Sequence, residues 1–190
     1  MIRGIIFDCF GVLYGGSLET LVNMCPPEKQ AELHDLNKQA DYGYISDDDY
    51  VRGLMALLDK SRDEIIEIFR AKHIRNEELV DYVRSLKSQY KLGLLSNVRM
   101  STIEKLFSPQ EMDTLFDAVV LSYQEGIAKP NPAVFVLTAE RLGVPVDECI
   151  MIDDLAVNCD AAEVAGMQSI LHTSNYATIG RLSEIFHKNS

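Results

Sequence analysis

Gly4-Ile5-Ile6-Phe7-Asp8-Cys9-Phe10-Gly11-Val12 is the stretch that decides the fold. A short apolar run, rich in β-branched residues, stops at a carboxylate and a glycine, which reads as a buried strand followed by a tight turn. The same grammar returns four times. Leu92-Gly93-Leu94-Leu95 precedes Ser96, Ala118-Val119-Val120-Leu121 precedes Ser122, Cys149-Ile150-Met151-Ile152 precedes Asp153-Asp154, and Gln168-Ser169-Ile170-Leu171 follows. Runs that are apolar throughout, rather than alternating, belong to strands covered on both faces, as in a parallel sheet. Between most of them lie helix-period segments. Glu77 to Ser88 sets Leu79, Val83 and Leu86 on one face, and Pro132 to Leu142 does the same with Val134, Leu137 and Leu142. The pattern predicts an α/β fold with a doubly wound parallel sheet.

Residues 9–90 break the rhythm, because they are far too long for one crossover. Segments 28–41, 47–58 and 62–72 within them are polar and helix-like, with no strand between. We expect a helical insert over residues 15–75, hung from Gly15-Gly16 and returning near Arg75-Asn76. Residues 1–14 and 76–190 then form the core domain.

Composition narrows the function classes. The chain has 190 residues, 47% hydrophobic and 25% charged, enough for an ordinary core. Eighteen Lys+Arg against 29 Asp+Glu leave a net charge of −11. Such a surface repels phosphate backbones and anionic lipid, so neither nucleic acid nor membrane is expected as a partner. An anionic substrate would need a local positive pocket or a bound cation. The apolar stretches are too short to span a bilayer, and Met1-Ile2-Arg3 runs straight into the first strand, leaving no room for a signal peptide. Cys9, Cys25, Cys149 and Cys159 show no CxxC pairing and read as reduced core residues of a cytoplasmic protein.

In open parallel sheets ligands bind beyond the carboxyl ends of the strands. Asp8, Ser96, Ser122 and Asp153-Asp154 stand at four such ends, so they are expected to converge on one crevice. Three carboxylates there need a counter-charge, and a hard divalent cation such as Mg²⁺ suits carboxylates, water and a substrate phosphate. Lys129 lies in Ala128-Lys129-Pro130-Asn131-Pro132, just before a helix whose N-cap is Asn131. A lysine there opposes the helix dipole, so we expect it to reach into the crevice toward Asp8 or an anion. Ser96-Asn97 fits a helix cap, a phosphate ligand, or both.

These residues carry a resemblance. Asp8-Cys9-Phe10-Gly11-Val12, Leu95-Ser96-Asn97, Lys129-Pro130 and Ile152-Asp153-Asp154 with Asn158 are similar, in order and spacing, to the four motifs of the haloacid dehalogenase superfamily. Glu163-Val164-Ala165-Gly166-Met167 resembles the segment that follows the fourth. The resemblance implies a Rossmann-like core with a small α-helical cap inserted after the first strand. It implies that Asp8 is a nucleophile forming an aspartyl-phosphate, and that Ser96 and the Asn97 backbone hold phosphoryl oxygens. Lys129 would neutralise charge, while Asp154, with Asp153 in support, would bind Mg²⁺ together with Asp8 and the Phe10 carbonyl. Asn158 fits a supporting position. The expected activity is Mg²⁺-dependent hydrolysis of a small phosphorylated metabolite, such as a sugar phosphate.

Phe10 departs from the pattern, since the phosphatases of this superfamily usually carry an acid-base Asp there. Its loss would favour esters with acidic leaving groups, unless another residue moves the proton. An aromatic residue at this position also resembles the 2-haloacid dehalogenases, in which Asp8 would attack carbon and expel halide. Those enzymes need no metal and usually lack the acidic pair that this chain keeps at Asp153-Asp154. A non-catalytic phosphate-binding or interaction module is the third alternative.

Other features call for plainer readings. Asp47-Asp48-Asp49 after Ser46 matches the first turn of a helix. His34, His73, His172 and His187 share no ligand spacing. Tyr14 suits the substrate mouth or cap-core packing, and Tyr42-Gly43-Tyr44 suits a turn between cap helices that faces the site.

Overall fold

Each of the five apolar runs is a strand in the computed structural model, which describes residues 1–189. They are β1 (Gly4–Phe7), β2 (Lys91–Ser96), β3 (Ala118–Leu121), β4 (Cys149–Asp153) and β5 (Gln168–Leu171), all parallel, in the order β3-β2-β1-β4-β5. Ile5 of β1 lies between Leu92 of β2 and Ile150 of β4. The strand with Asp8 at its end is therefore the middle of the sheet, where the chain turns from one side to the other. That is the switch point at which such sheets bind ligands.

The helices in chain order are α1 (Leu18–Met24), α2 (Gln30–Asp41), α3 (Asp47–Leu58), α4 (Arg62–Lys72), α5 (Glu77–Leu86), α6 (Ile103–Leu106), α7 (Pro109–Leu115), α8 (Ser122–Glu125), α9 (Pro132–Leu142), α10 (Ala156–Val164) and α11 (Asn175–Asn189). Side chains alternate across the sheet, as strand geometry requires. Ile5, Phe7, Leu92, Leu94 and Ile152 pack with Leu79 and Val83 of α5 and Leu182 of α11. Ile6, Leu95, Val120 and Met151 face the other way, onto Val134, Phe135 and Leu142 of α9 and Ala162 of α10. Each fully buried Ile, Leu or Phe here contributes about 1.5–3 kcal/mol.

Helices α1 to α4 fill the long gap and have a core of their own, built from Leu21, Leu33, Tyr50, Leu54, Ile65 and Phe69. Ser46 caps α3 by accepting from the Asp49 N–H at 3.1 Å, so the acidic triplet sits in a first turn as expected. Ser61 and Glu64 form a capping box at the start of α4. Two short crossings tie this layer to the sheet. Gly15 N–H donates to the Ile74 carbonyl at 2.9 Å, and Asn76 N–H donates to the Leu13 carbonyl at 2.9 Å. Gly15 needs its missing side chain, since a Cβ there would collide with the Lys72 carbonyl.

The expected element limits shift slightly. The 28–41 segment opens with a 3₁₀ turn at Pro27–Lys29, and α5 ends at Leu86 rather than Ser88. No helix among the described residues is long and apolar enough to cross a membrane.

Candidate functional site

Asp8 follows β1 directly and is buried. Its Oδ1 accepts from the Cys9 N–H at 2.6 Å and lies 2.9 Å from Lys129 Nζ. Its Oδ2 takes no hydrogen bond from any described residue, so one oxygen is held and the other is free. Burial pushes the Asp8 carboxyl well above its usual range; Lys129 opposes this, and Asp153 and Asp154 reinforce it.

Lys129 is 4% exposed, and its ammonium bridges Asp8 and Asp153, with 2.6 Å to Asp153 Oδ2. Burial disfavours the charged amine, but the two carboxylates outweigh it and hold the lysine protonated. The expectation that Lys129 turns inward is met. Asn97 fixes its backbone from both sides: Nδ2 donates to the Lys129 carbonyl at 2.8 Å, and Oδ1 accepts from the Lys129 N–H at 2.8 Å. The Asn97 side chain therefore positions the lysine rather than facing a ligand.

The acidic pair after β4 divides its work. Asp153 is fully buried, and both oxygens are spoken for: Oδ2 by Lys129, Oδ1 by the Leu155 N–H and by Asn158 Nδ2, each at 2.9 Å. Asp154 is only partly buried, and its carboxylate takes a hydrogen bond from its own backbone N–H rather than from another side chain. Burial raises its pKa, with the Asp153 charge next in weight. Carboxylate oxygens of Asp8, Asp153 and Asp154 all lie within 4.8 Å of one another. Gly11, at φ +87°, makes room for this cluster, because a Cβ there would strike the Asp154 carboxylate.

Ser96 ends β2 beside Asp8. It is fully buried, and its Oγ has no hydrogen-bond partner among the described residues. A buried hydroxyl left unpaired costs about 1–3 kcal/mol, and a ligand oxygen would recover it. Ser122 behaves differently from the expectation that it joins the crevice. Its hydroxyl donates to the Asp41 carbonyl and accepts from the Val98 N–H at 2.9 Å, so it is used up in fastening α2 to the sheet.

Phe10 packs its ring on His73, with centroids 4.7 Å apart, and His73 stacks in turn on Phe69. Tyr14 is buried and donates its hydroxyl to the Leu106 carbonyl at 2.7 Å, so it packs rather than lining a mouth. Tyr42 and Tyr44 pair with each other, while Gly43 between them presses on Tyr123. Arg99 was not anticipated. It extends from the loop after β2 into the helical layer, 4.8 Å from the Tyr50 ring centroid and 4.5 Å from that of Phe69. Asp47 of α3 meets it at 3.5 Å and Lys105 at 3.0 Å. Asp41 at the end of α2, whose carbonyl accepts from Ser122 and whose carboxylate accepts from Asn37, was likewise missed, although it immediately precedes the Tyr42-Gly43-Tyr44 turn. Two surface hollows of about 610 and 500 Å³ lie elsewhere, beside Tyr176 and Arg181 and beside Arg84 and Glu111, and neither borders Asp8 or Lys129.

A profile of haloacid dehalogenase-like hydrolases matches residues 2–166. A phosphoglycolate phosphatase of Aquifex aeolicus is 26% identical over 93% of this chain and 87% of its own. An (S)-2-haloacid dehalogenase of Pseudomonas putida is 24% identical over 87% of this chain and 82% of its own. Among solved structures, a family enzyme of Bacteroides thetaiotaomicron, in complex with magnesium and inorganic phosphate, superposes with a TM-score of 0.74. It is 22% identical and covers 92% of this chain and 96% of its own.

Proposed function

This chain belongs to the haloacid dehalogenase-like hydrolases, and from that premise we propose that it is a Mg²⁺-dependent phosphatase acting on a small phosphate ester. The observation that carries the reading is the Asp8 carboxylate. One oxygen is anchored on Lys129 and the Cys9 N–H, and the other is free at the centre of the sheet's binding edge. The phosphatase relative supports the same reaction class.

The donor set fits Mg²⁺. Three carboxylates against one lysine leave an excess of two negative charges, gathered within 4.8 Å. Asp154, the most exposed carboxylate of the three, would hold the ion together with Asp8 and the Phe10 carbonyl, while Asp153 sets the lysine. When bound, the ion neutralises charge on the phosphoryl group as it transfers. The rest is done by the chain. Asp8 Oδ2 attacks phosphorus and forms the aspartyl-phosphate as the bond from phosphorus to the ester oxygen breaks. Ser96 Oγ and the Asn97 N–H donate to phosphoryl oxygens, and Lys129 favours the ionised form of Asp8 and orients it. Water then attacks phosphorus and releases Asp8 and phosphate. Helices α1 to α4 serve as a cap, with residues 15–75 as its span, and a closed cap selects small substrates, sugar phosphates among them. The four cysteines are free and buried, which suits a reducing cytoplasm.

The second reading, hydrolytic dehalogenation, is favoured by the aromatic side chain at position 10 and by the dehalogenase relative. It gives Asp154 no role. A panel of phosphorylated metabolites and 2-haloacids, each with Mg²⁺ and with chelator, separates the two. Phosphate release that needs Mg²⁺ supports the phosphatase; metal-independent halide release refutes it.

A further inference from the structure

Phe10 leaves the aspartyl-phosphate chemistry without a proton donor for the leaving oxygen. His73, whose ring packs on Phe10, is a poor substitute: its Nε2 is engaged with Ser17 Oγ at 3.2 Å, and its ring lies between Phe10, tilted against it, and Phe69, stacked on it. The cap brings a carboxyl group instead.

Asp41 is the last residue of α2. Its carbonyl accepts from Ser122 at the end of β3, and two residues on Gly43 fits so closely that a Cβ would stand 2.9 Å from the Tyr123 carbonyl oxygen. The end of α2 is thereby fixed to the end of β3, and β3 pairs with β2, which carries Ser96 at its end and in turn pairs with β1. Asn37 Nδ2 donates to Asp41 Oδ2 at 2.8 Å, and Tyr50 in turn holds Asn37 Oδ1 at 3.0 Å. Oδ1 of Asp41 receives no hydrogen bond from the described residues. The cations that act on this carboxyl are Arg99 and Lys129, the second of them the lysine on Asp8.

We propose that Asp41 is the catalytic acid-base residue of this site, supplied by the cap in place of the carboxylate missing at position 10. The assignment rests on the aspartyl-phosphate reading of Asp8. As the Asp8 oxygen bonds to phosphorus, the ester oxygen leaves with the electron pair of its bond and takes the Asp41 proton, giving the alcohol. In the second half, Asp41 carboxylate takes a proton from the water that bonds to phosphorus, and the Asp8 carboxylate departs. Ester and water become alcohol and phosphate, and Asp41 regains its proton.

The surroundings suit both forms of the group. Burial raises the Asp41 carboxyl to about 7 against the pull of Arg99, Asn37 and Lys129. Burial also lifts Tyr50, on α3, to about 12 and raises Tyr123 on α8, so both stay neutral. Asp47, the other acid on α3 near this end, is paired with Arg99 and Lys105. A proton-transfer group near the working pH is the effective one.

The test is kcat/KM across a graded series of alkyl and aryl monophosphates, with Mg²⁺ saturating, for the wild type and Asp41→Asn. The wild type should show a shallow dependence on leaving-group pKa. Asp41→Asn should lose about 10²- to 10⁴-fold on alkyl esters and far less on aryl esters. Asp41→Glu should recover part of the loss. A steep dependence in the wild type overturns the assignment without need of any variant. So does a loss in Asp41→Asn that is equal for all leaving groups. Asp8→Asn keeps the two claims apart: if it still turns over, the aspartyl-phosphate reading falls, whereas an inert Asp8→Asn with a uniform Asp41→Asn loss removes only the role of Asp41.

Discussion

Replacing Lys129 with methionine removes the positive charge that lies among three clustered carboxylates while nearly keeping the volume. The lysine side chain is 1% exposed and lies 2.9 Å from Asp8 and 2.6 Å from Asp153. An exposed ion pair is worth about 0–1 kcal/mol, but breaking a buried one by deleting a single partner costs about 3–5 kcal/mol, because the other charge is left uncompensated. For a chain of this size each kcal/mol moves Tm by about 2–4 °C, so Lys129→Met should melt about 6–20 °C below the wild type. The assay is a calorimetric or circular-dichroism melt at pH 7 in chelator. Adding Asp153→Asn to Lys129→Met should return part of the loss, since it removes one of the stranded charges. A Tm drop of less than about 2 °C, the scale of an exposed pair, would refute the reasoning, because the lysine would then carry no buried charge balance.

Further consequences follow from single contacts. Mg²⁺ at a hundred times its Kd should stabilise the wild type by about 2.7 kcal/mol, and Asp154→Asn should abolish that shift; an equal response in both proteins would place the ion elsewhere. Gly11→Ala puts a Cβ into the Asp154 carboxylate at a positive φ, so Mg²⁺ titrations followed by Tm should need at least about tenfold more ion, a differential cost of about 1.4 kcal/mol. Asn97→Ala removes two hydrogen bonds to the Lys129 backbone and should cost about 1–3 kcal/mol in urea unfolding, along with turnover. Asp41 binds its proton more tightly in the folded chain, at about 7, than at about 3.9 in the unfolded one. Its contribution to stability is therefore full below pH 4 and lost as pH rises through 7; because the Asp8 carboxyl is also raised, urea midpoints should decline over this range in both proteins, and less in Asp41→Asn than in the wild type.

The strands were legible because both faces are covered, which demands unbroken apolar runs, and the acidic or hydroxyl residue at the ends of β1 to β4 followed from where such runs stop. Helices α2, α3 and α4 were legible from their helical period, and Asn131-Pro132 marked the start of α9. Shorter pieces escaped. α6 spans only Ile103–Leu106, and α10 buries Asn158, Cys159, Ala161 and Ala162, small residues that leave no apolar stripe to read. Lys129 could be placed because a cation before a helix N-terminus has an electrostatic reason to turn away from it. Ser122 stood at a strand end like the others, and only its neighbours Asp41 and Val98 show that its hydroxyl is occupied. Arg99 and Asp41 had no local signal at all. Their positions depend on how the helical layer sits on the loops after β2 and β3, and no spacing along the chain reports that.

The central claim is that phosphorus is transferred to Asp8. Acid quench of a single turnover, followed by peptide mass spectrometry, tests it most directly, using an aryl monophosphate with Mg²⁺. The account predicts a phosphoryl group on the peptide containing Asp8 that appears before free phosphate and decays with its release. It also predicts that the group is absent in Asp8→Asn and in chelator. Phosphate release at full rate with no phosphorylated peptide at any time, or undiminished release from a folded Asp8→Asn protein, would contradict it.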